Sequence, residues 1–321
     1  MENAKPSVLK KVFKTKEIGI FLILIVLSIL IEIANPIFLT YNNIMDVFRN
    51  TSFTLIMAIG MSFVLIAKGL DLSVGSNFAL SGLVAALIMF ENEPMIPVAI
   101  IAGLACGALI GAVNASCVVF LKIPAMIATL GTMYMARGLV LVITKGSPVY
   151  PLPKVFSGFG KGSVAGVPYV VIIVLILALI AHFILKRTTY GRKVYAIGGN
   201  PETAKFAGIN VTRTTFSVYV ICGFCAALSG ILTAARMGSG QPSVGDGMEM
   251  TVITAVIIGG TSLNGGAGTI LGTVLGALLM NVLSSGMNLV GVSAYWQKFV
   301  TGLIIVAAVA FDQYQRSKRK A

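Results

Sequence analysis

The stretch VPYVVIIVLILALIAHFILKRTTYGRKVYAIGGNPETAKFAGINV, residues 167–211, decides how the rest of the chain is read. Its first part, Val167 to Leu185, is an apolar block without a formal charge, near the ~20 residues that cross a hydrocarbon layer. Its second part is the longest charged, non-hydrophobic passage in the chain's interior, with Arg187, Arg192, Lys193 and Lys205 against a single acid, Glu202. Two glycines, Gly198 and Gly199, lead into a short helix signal. Asn200 suits an N-cap, Pro201 the first helical position, Glu202 the positive end of the helix dipole and Gly208 the close of the helix. The pattern predicts a rigid two-turn helix on a glycine hinge between two membrane spans, the layout of a lever.

The apolar reading extends to the whole chain. Of 321 residues, 57% are hydrophobic and 11% charged, and the mean hydropathy is +0.94. A soluble domain interleaves its apolar residues with polar ones at period 2 or 3.6, whereas here they come in uninterrupted blocks such as Ile18 to Ala34. The fold class is therefore an all-α polytopic membrane protein, and 35 glycines suit close helix contact in lipid. The net charge of +13 does not indicate nucleic-acid binding, because the basic residues sit in tails and short loops between apolar segments. Four cysteines are too few for a disulfide framework, and the CxxC of Cys222 and Cys225 lies in an apolar helix, where small packing residues are expected. The lone His182, near the end of a span, reads as an interfacial side chain.

Residues 1–17 carry five lysines ahead of an apolar run, but Glu32, Asn35-Pro36 and the lack of a small-x-small cleavage site make the run an uncleaved first span. Apolar segments then follow at about 50–67, 75–90, 95–121, 123–143, 168–185, 213–236, 251–260, 268–286 and 297–311, ten in all with the first. Ten crossings put both ends on one side. Seventeen of the 24 lysines and arginines fall on that side and six on the other, which assigns the N-terminal tail 1–17, the loop 187–212 and the basic tail 312–321 to the cytoplasm. A single transmembrane domain spans 18–311, its longest external loop 144–167 rich in Gly, Ser and Pro. Arg137 is left inside a span.

A shift of 191 residues pairs Ile66 with Ile257, Gly69 with Gly260, Leu72 with Leu263 and Gly75 with Gly266, a pseudo-repeat centred on two glycine-broken hairpins. Their tips are GLDLSVGS (69–76) and GGTSLNGGAG (259–268), with Ser73 and Asn264 placed to cap the following helices. Unwound backbone in corresponding parts of two halves points to a transport site; ordinary cytoplasmic turns, with Asp71 solvated, are the alternative.

No nucleotide-binding, metalloprotease or nucleophile motif is present, and the spans lack the relay of ionisable groups that a proton-coupled carrier needs. The energy must therefore come from elsewhere. Four passages carry a resemblance: GLDLSVGS at 69–76, ATLGTMYMARGL at 128–139 with KGSPV at 145–149, TTYGRKVYAIGGNPETAKFAGINV at 188–211, and GGTSLNGGAGTILGTVLGAL at 259–278. Together they resemble the membrane permeases of bacterial ABC importers for monosaccharides, the ribose-type permeases most closely.

The resemblance implies a homodimer in the bacterial plasma membrane, contacted by lipid. It also implies a cytoplasmic ABC ATPase that binds the ATP and a periplasmic or lipid-anchored sugar-binding protein. It makes residues 202–208, ETAKFAG, the counterpart of the EAA-x-x-x-G coupling helix, with Thr203 in place of the usual alanine and no I-x-L-P continuation. Gly198, Gly199, Asn200, Glu202, Ala204, Lys205, Phe206 and Gly208 are then the coupling residues. Phe206 is an apolar anchor, Glu202 and Lys205 are rim charges, and Ala204 keeps one face low. Monosaccharides are neutral and hydroxyl-rich, so Asp71, Ser73, Asn77, Phe78, Asn114, Thr129, Arg137, Ser262 and Asn264 are the candidate pathway residues. A permease for another small solute and a self-sufficient secondary carrier are the competing readings.

Overall fold

The computed structural model describes residues 16–320. Thirteen α-helices are found among them. α1 (Lys16–Ala34), α2 (Tyr41–Ile66), α3 (Val74–Met89), α4 (Ile96–Val119) and α5 (Ala125–Thr144) fill the N-terminal half. A short α6 (Lys154–Lys161) precedes α7 (Tyr169–Arg187), and α8 (Thr189–Gly199) and α9 (Pro201–Phe206) follow it. α10 (Val211–Met237), α11 (Met248–Ile258), α12 (Ile270–Leu289) and α13 (Ala294–Lys320) complete the chain. Each of the ten apolar segments coincides with a helix. Seven helical stretches are long and apolar enough to cross a membrane, while α3, α11 and Ala294–Ala310 of α13 are shorter. The lysines at 5, 10, 11 and 14 lie outside the described residues, as do the side chains of Arg316, Lys318, Arg319 and Lys320.

Burial separates central from peripheral helices. The apolar window of α2 is 89% buried and that of α10 72%, against 11% for α1 and 28% for α5 and α7. α10 packs on α2, α3 and α4, and Gly60 of α2 meets Cys222 and Cys225 of α10 so closely that the two backbones touch. Both cysteines are free and buried, so the CxxC is a packing seam. The outer helices instead expose Ile33, Val142, Leu179 and other large apolar side chains. In water this surface would drive aggregation; in lipid it costs nothing.

Two loop assignments change. The loop 144–167 is ordered: it contains α6 and leads into an antiparallel hairpin, Ser163–Val164 with Val167–Pro168, turned by Ala165 and Gly166 at positive φ. Glycine, serine and proline there set turn geometry and do not leave slack. The second change concerns Gly238–Gly247, which the sequence treats as a connection outside the bundle. Gly240 packs on Leu83 and Ala86 near the end of α3, and Gly245 packs on Gly75 and Phe78 near its start. The segment therefore runs along α3 from near its end to near its start before α11 begins. α2 also starts nine residues before its apolar segment, because Tyr41–Arg49 is too polar to register as one.

Candidate functional site

The end of the bundle that carries α8 and α9 is built first by local sequence. Thr188 caps α8 by accepting from the Gly191 N–H, and Val194 and Ile197 at helical spacing bury its inner face. The polar stretch 189–199 masked this helix because its apolar residues are few. The Asn200 side chain accepts from the N–H groups of Glu202 and Thr203 at 2.9 and 3.1 Å, with Pro201 in the first turn of α9. At the other end the Gly208 N–H donates to Lys205 and the Ile209 N–H to Ala204, with Gly208 at φ +79, a paired closure that a glycine accepts without strain. α9 is thus a short, doubly capped helix.

Its faces divide sharply. Phe206 is 91% exposed and Ala204 only 3% exposed, with Glu202, Lys205 and Ala207 outside. Ala204, taken as part of a docking face, lies against the chain itself. Gly198 and Gly199 also behave differently from a free hinge. They end α8, and the Ile66 carbonyl, Gly198 and the Gly266 N–H meet there so tightly that a Cβ on Gly198 would overlap both partners. The Gly266 N–H donates to the Ile66 carbonyl at 2.9 Å, and the Tyr195 hydroxyl donates to the Gly268 carbonyl at 2.7 Å. Burial raises the Tyr195 pKa, keeping this donor protonated. The base of α9 therefore rests on the ends of α2 and of the loop 259–269 together.

At the opposite end of the bundle a cavity of about 680 Å³ opens between α2, α3, α10, α11 and α12. α2 contributes Asn50, Phe53 and Thr54; α3 contributes Phe78; α10 contributes Thr233 and Arg236. Val244, Gly245 and Met248 form the wall made by the re-entrant segment, and Asn281, Ser284, Ser285 and Asn288 line α12. The Arg236 guanidinium donates to the Asn50 side chain and lies 5.6 Å from the Phe53 ring centre, which holds the charge to one side. Amides and hydroxyls with two aromatic rings form a surface for a neutral, hydroxyl-rich solute.

Of the nine pathway candidates, Phe78 alone lines this cavity. Asp71, Ser73 and Asn114 are gathered into one buried cluster elsewhere, and Asn77 is a cross-helix staple donating to the Gly107 carbonyl at 3.1 Å. Thr129 bonds its own helix, at the Ala125 carbonyl. Arg137 donates to the carbonyls of Pro242 and Val244 at 3.0 and 2.9 Å, holding the re-entrant wall from outside. Ser262 accepts from the Asn264 N–H inside the loop, and Asn264 is exposed.

The expected caps also change. Ser73 stands at the N-cap of α3 without a side-chain cap bond, and Thr269, not Asn264, caps α12 by accepting from the Gly272 N–H. The α12 cavity residues were legible: Asn281, Ser284, Ser285 and Asn288 form a polar stripe at helical spacing on an apolar helix. Replacing Arg137 by methionine leaves two carbonyls unpaired, and we expect a loss of about 1–3 kcal/mol. A lower thermal midpoint in detergent, together with reduced transport, checks this.

Lipid-facing helices around a buried core, with a polar cavity at one end and the capped, exposed helix α9 at the other, are the architecture of an integral membrane protein. The chain belongs to the family described as branched-chain amino acid transport system / permease component, which it matches over residues 43–309. It is 44% identical over 294 residues to the ribose import permease RbsC of Escherichia coli (strain K12), covering 90% of this chain and 91% of that one. It is 40% identical to RbsC of Bacillus subtilis (strain 168), with 93% of each chain covered. The D-allose transport system permease AlsC of Escherichia coli (strain K12) is 39% identical over 293 residues, covering 91% of this chain and 90% of that one. No solved structure matches the chain.

Proposed function

We propose that the chain is the membrane-spanning subunit of an ATP-driven importer that passes a ribose-like monosaccharide from an external binding protein to the cytoplasm by alternating access. The observation that carries this reading is the polar cavity at the end of the bundle opposite the exposed Phe206 on α9. One end can receive a sugar while the other receives an ATPase. The charge bias of the sequence supports ten crossings with both termini and α9 in the cytoplasm, which turns the cavity outward. Two copies, with two ATPase subunits below and a binding protein above, complete the assembly. The chain itself carries no ATPase site in this reading.

Reconstitution of the chain with its ATPase and binding protein into vesicles, followed by uptake of labelled ribose, tests the proposal. Uptake that needs all three components and ATP supports it; uptake by the chain alone would sink it in favour of a secondary carrier. The likeness to an allose permease favours a second reading for the solute, another aldose, which competition by unlabelled sugars distinguishes. Within the cavity, Asn281→Leu removes a hydrogen-bonding amide without touching the helix core. We expect maximal uptake to fall about tenfold, the equivalent of ~1.4 kcal/mol, while the half-saturating sugar concentration set by the binding protein stays put.

A further inference from the structure

Asp71 is 1% exposed, and among the described residues no lysine or arginine pairs with it; the ion pairs found there join Arg49 to Asp46 and Lys298 to Asp246. Its Oδ1 accepts from the Ser73 N–H at 2.9 Å, the Ser73 hydroxyl at 2.6 Å and the Asn114 amide at 3.2 Å. The same Asn114 amide donates to the Ser73 hydroxyl at 2.8 Å, and its Oδ1 accepts from the Thr132 hydroxyl. One residue before Asp71, the Leu70 N–H donates to the Tyr219 hydroxyl at 3.3 Å and the Leu70 carbonyl accepts from it at 3.2 Å. The unwound segment 67–73 is thereby tied to α4, α5 and α10.

The chemistry of that shell selects an acceptor. Every group aimed at Oδ1 is a donor, so an aliphatic side chain of the same size would take the acceptor away from the Ser73 N–H, the Ser73 hydroxyl and the Asn114 amide. Buried donors and acceptors paired in this way fix one backbone geometry.

That geometry connects the two ends of the molecule. Segment 67–73 begins beside the Ile66 carbonyl, where Gly198 and Gly266 meet at the base of the docking helix. It ends at the start of α3, where Gly75 packs on Gly245 and Phe78 forms part of the cavity wall. We infer that Asp71 is a positioning residue that keeps this unwound segment stiff, so that displacement of the docking helix moves the cavity wall. The inference rests on the transport reading above; it reassigns Asp71, Ser73 and Asn114 from the sugar's path to the linkage between ATP hydrolysis and that path.

The test uses the full complex of permease, ATPase and binding protein in vesicles, measuring ATP hydrolysis and sugar uptake side by side. Asp71→Leu, which removes the acceptor, and, with minimal change of volume, Tyr219→Phe are expected to keep ATP hydrolysis while sugar moved per ATP falls about tenfold, the size of a lost ~1.4 kcal/mol constraint. Asp71→Asn, whose side-chain oxygen can accept the same bonds, is expected to keep most of the ratio. Unchanged coupling in both Asp71→Leu and Tyr219→Phe overturns the inference alone. So does a joint fall of hydrolysis, uptake and thermal midpoint in both, since this marks a purely structural role. Absence of ATP-driven uptake by the unmutated complex overturns the transport reading and this inference with it.

Discussion

Phe206→Ala is expected to abolish productive docking of the ATPase while leaving the membrane-inserted protein as stable as before. The aromatic ring is 91% exposed in the isolated chain, so removing it creates no cavity, and surface substitutions of this kind stay within about 0.5 kcal/mol of neutral. A large apolar side chain held in water at the tip of a doubly capped helix gains most of its energy from a partner's pocket. Truncating such an anchor costs about 2–4 kcal/mol, equivalent to a weakening of about 30- to 1000-fold.

Titration of the ATPase into permease held in lipid discs measures the change directly, and ATP-driven uptake should collapse in parallel. Glu202→Ala and Lys205→Ala, at exposed rim positions, should weaken docking by less than about fivefold. Ala204→Leu provides the internal control, since its side chain faces the protein: it should lower the thermal midpoint, an effect that Phe206→Ala lacks. Full-strength docking by Phe206→Ala would remove α9 as the ATPase contact.

The contrast between Phe206 and Ala204 shows where sequence reading reaches and where it stops. The existence of α9, its Asn200 cap and its glycine closure follow from interactions within ten residues of chain, so they are legible in the sequence. The ten apolar segments are legible for the same reason, since a run of apolar residues carries its own signal. Which side of α9 faces outward depends on α8, whose position depends in turn on residues 66 and 266.

The cavity lies further still from local rules. Val244 and Gly245 line it because Gly238–Gly247 turns into the bundle, and that turn is held by Arg137, about a hundred positions earlier in the chain. Asp71 and Asn114 looked like solute contacts because polar residues in spans are rare. The structure joins them to each other in a buried cluster, and other polar residues, on α12, line the cavity. The α12 stripe is visible at helical period in the sequence, whereas its place beside Val244 and Gly245 depends on distant parts of the chain.

The sharpest expectation for the linkage between the two ends concerns Gly198. A methyl group there would overlap the Ile66 carbonyl oxygen and the Gly266 N–H, both backbone atoms that no rotamer change can move. Relief requires α8 to withdraw, which breaks contact between the docking helix and the loop 259–269, including the Tyr195 bond to Gly268. Overpacking of this kind costs about 1–3 kcal/mol even where side chains can yield, and backbone neighbours place Gly198→Ala at the upper end. Gly199, one residue on, has nothing within 4 Å of an added Cβ and no positive φ, so Gly199→Ala should transport within about twofold of the unmutated chain.

The pair separates a rigid seat from a hinge. A hinge needs conformational freedom at both glycines, and both alanine variants would then impair coupling alike. A seat needs closeness at Gly198 alone: Gly198→Ala should lose ATP-driven uptake almost entirely, while an ATPase titration still detects docking at the intact α9. Equal behaviour of the two variants would return the glycines to the role of a hinge.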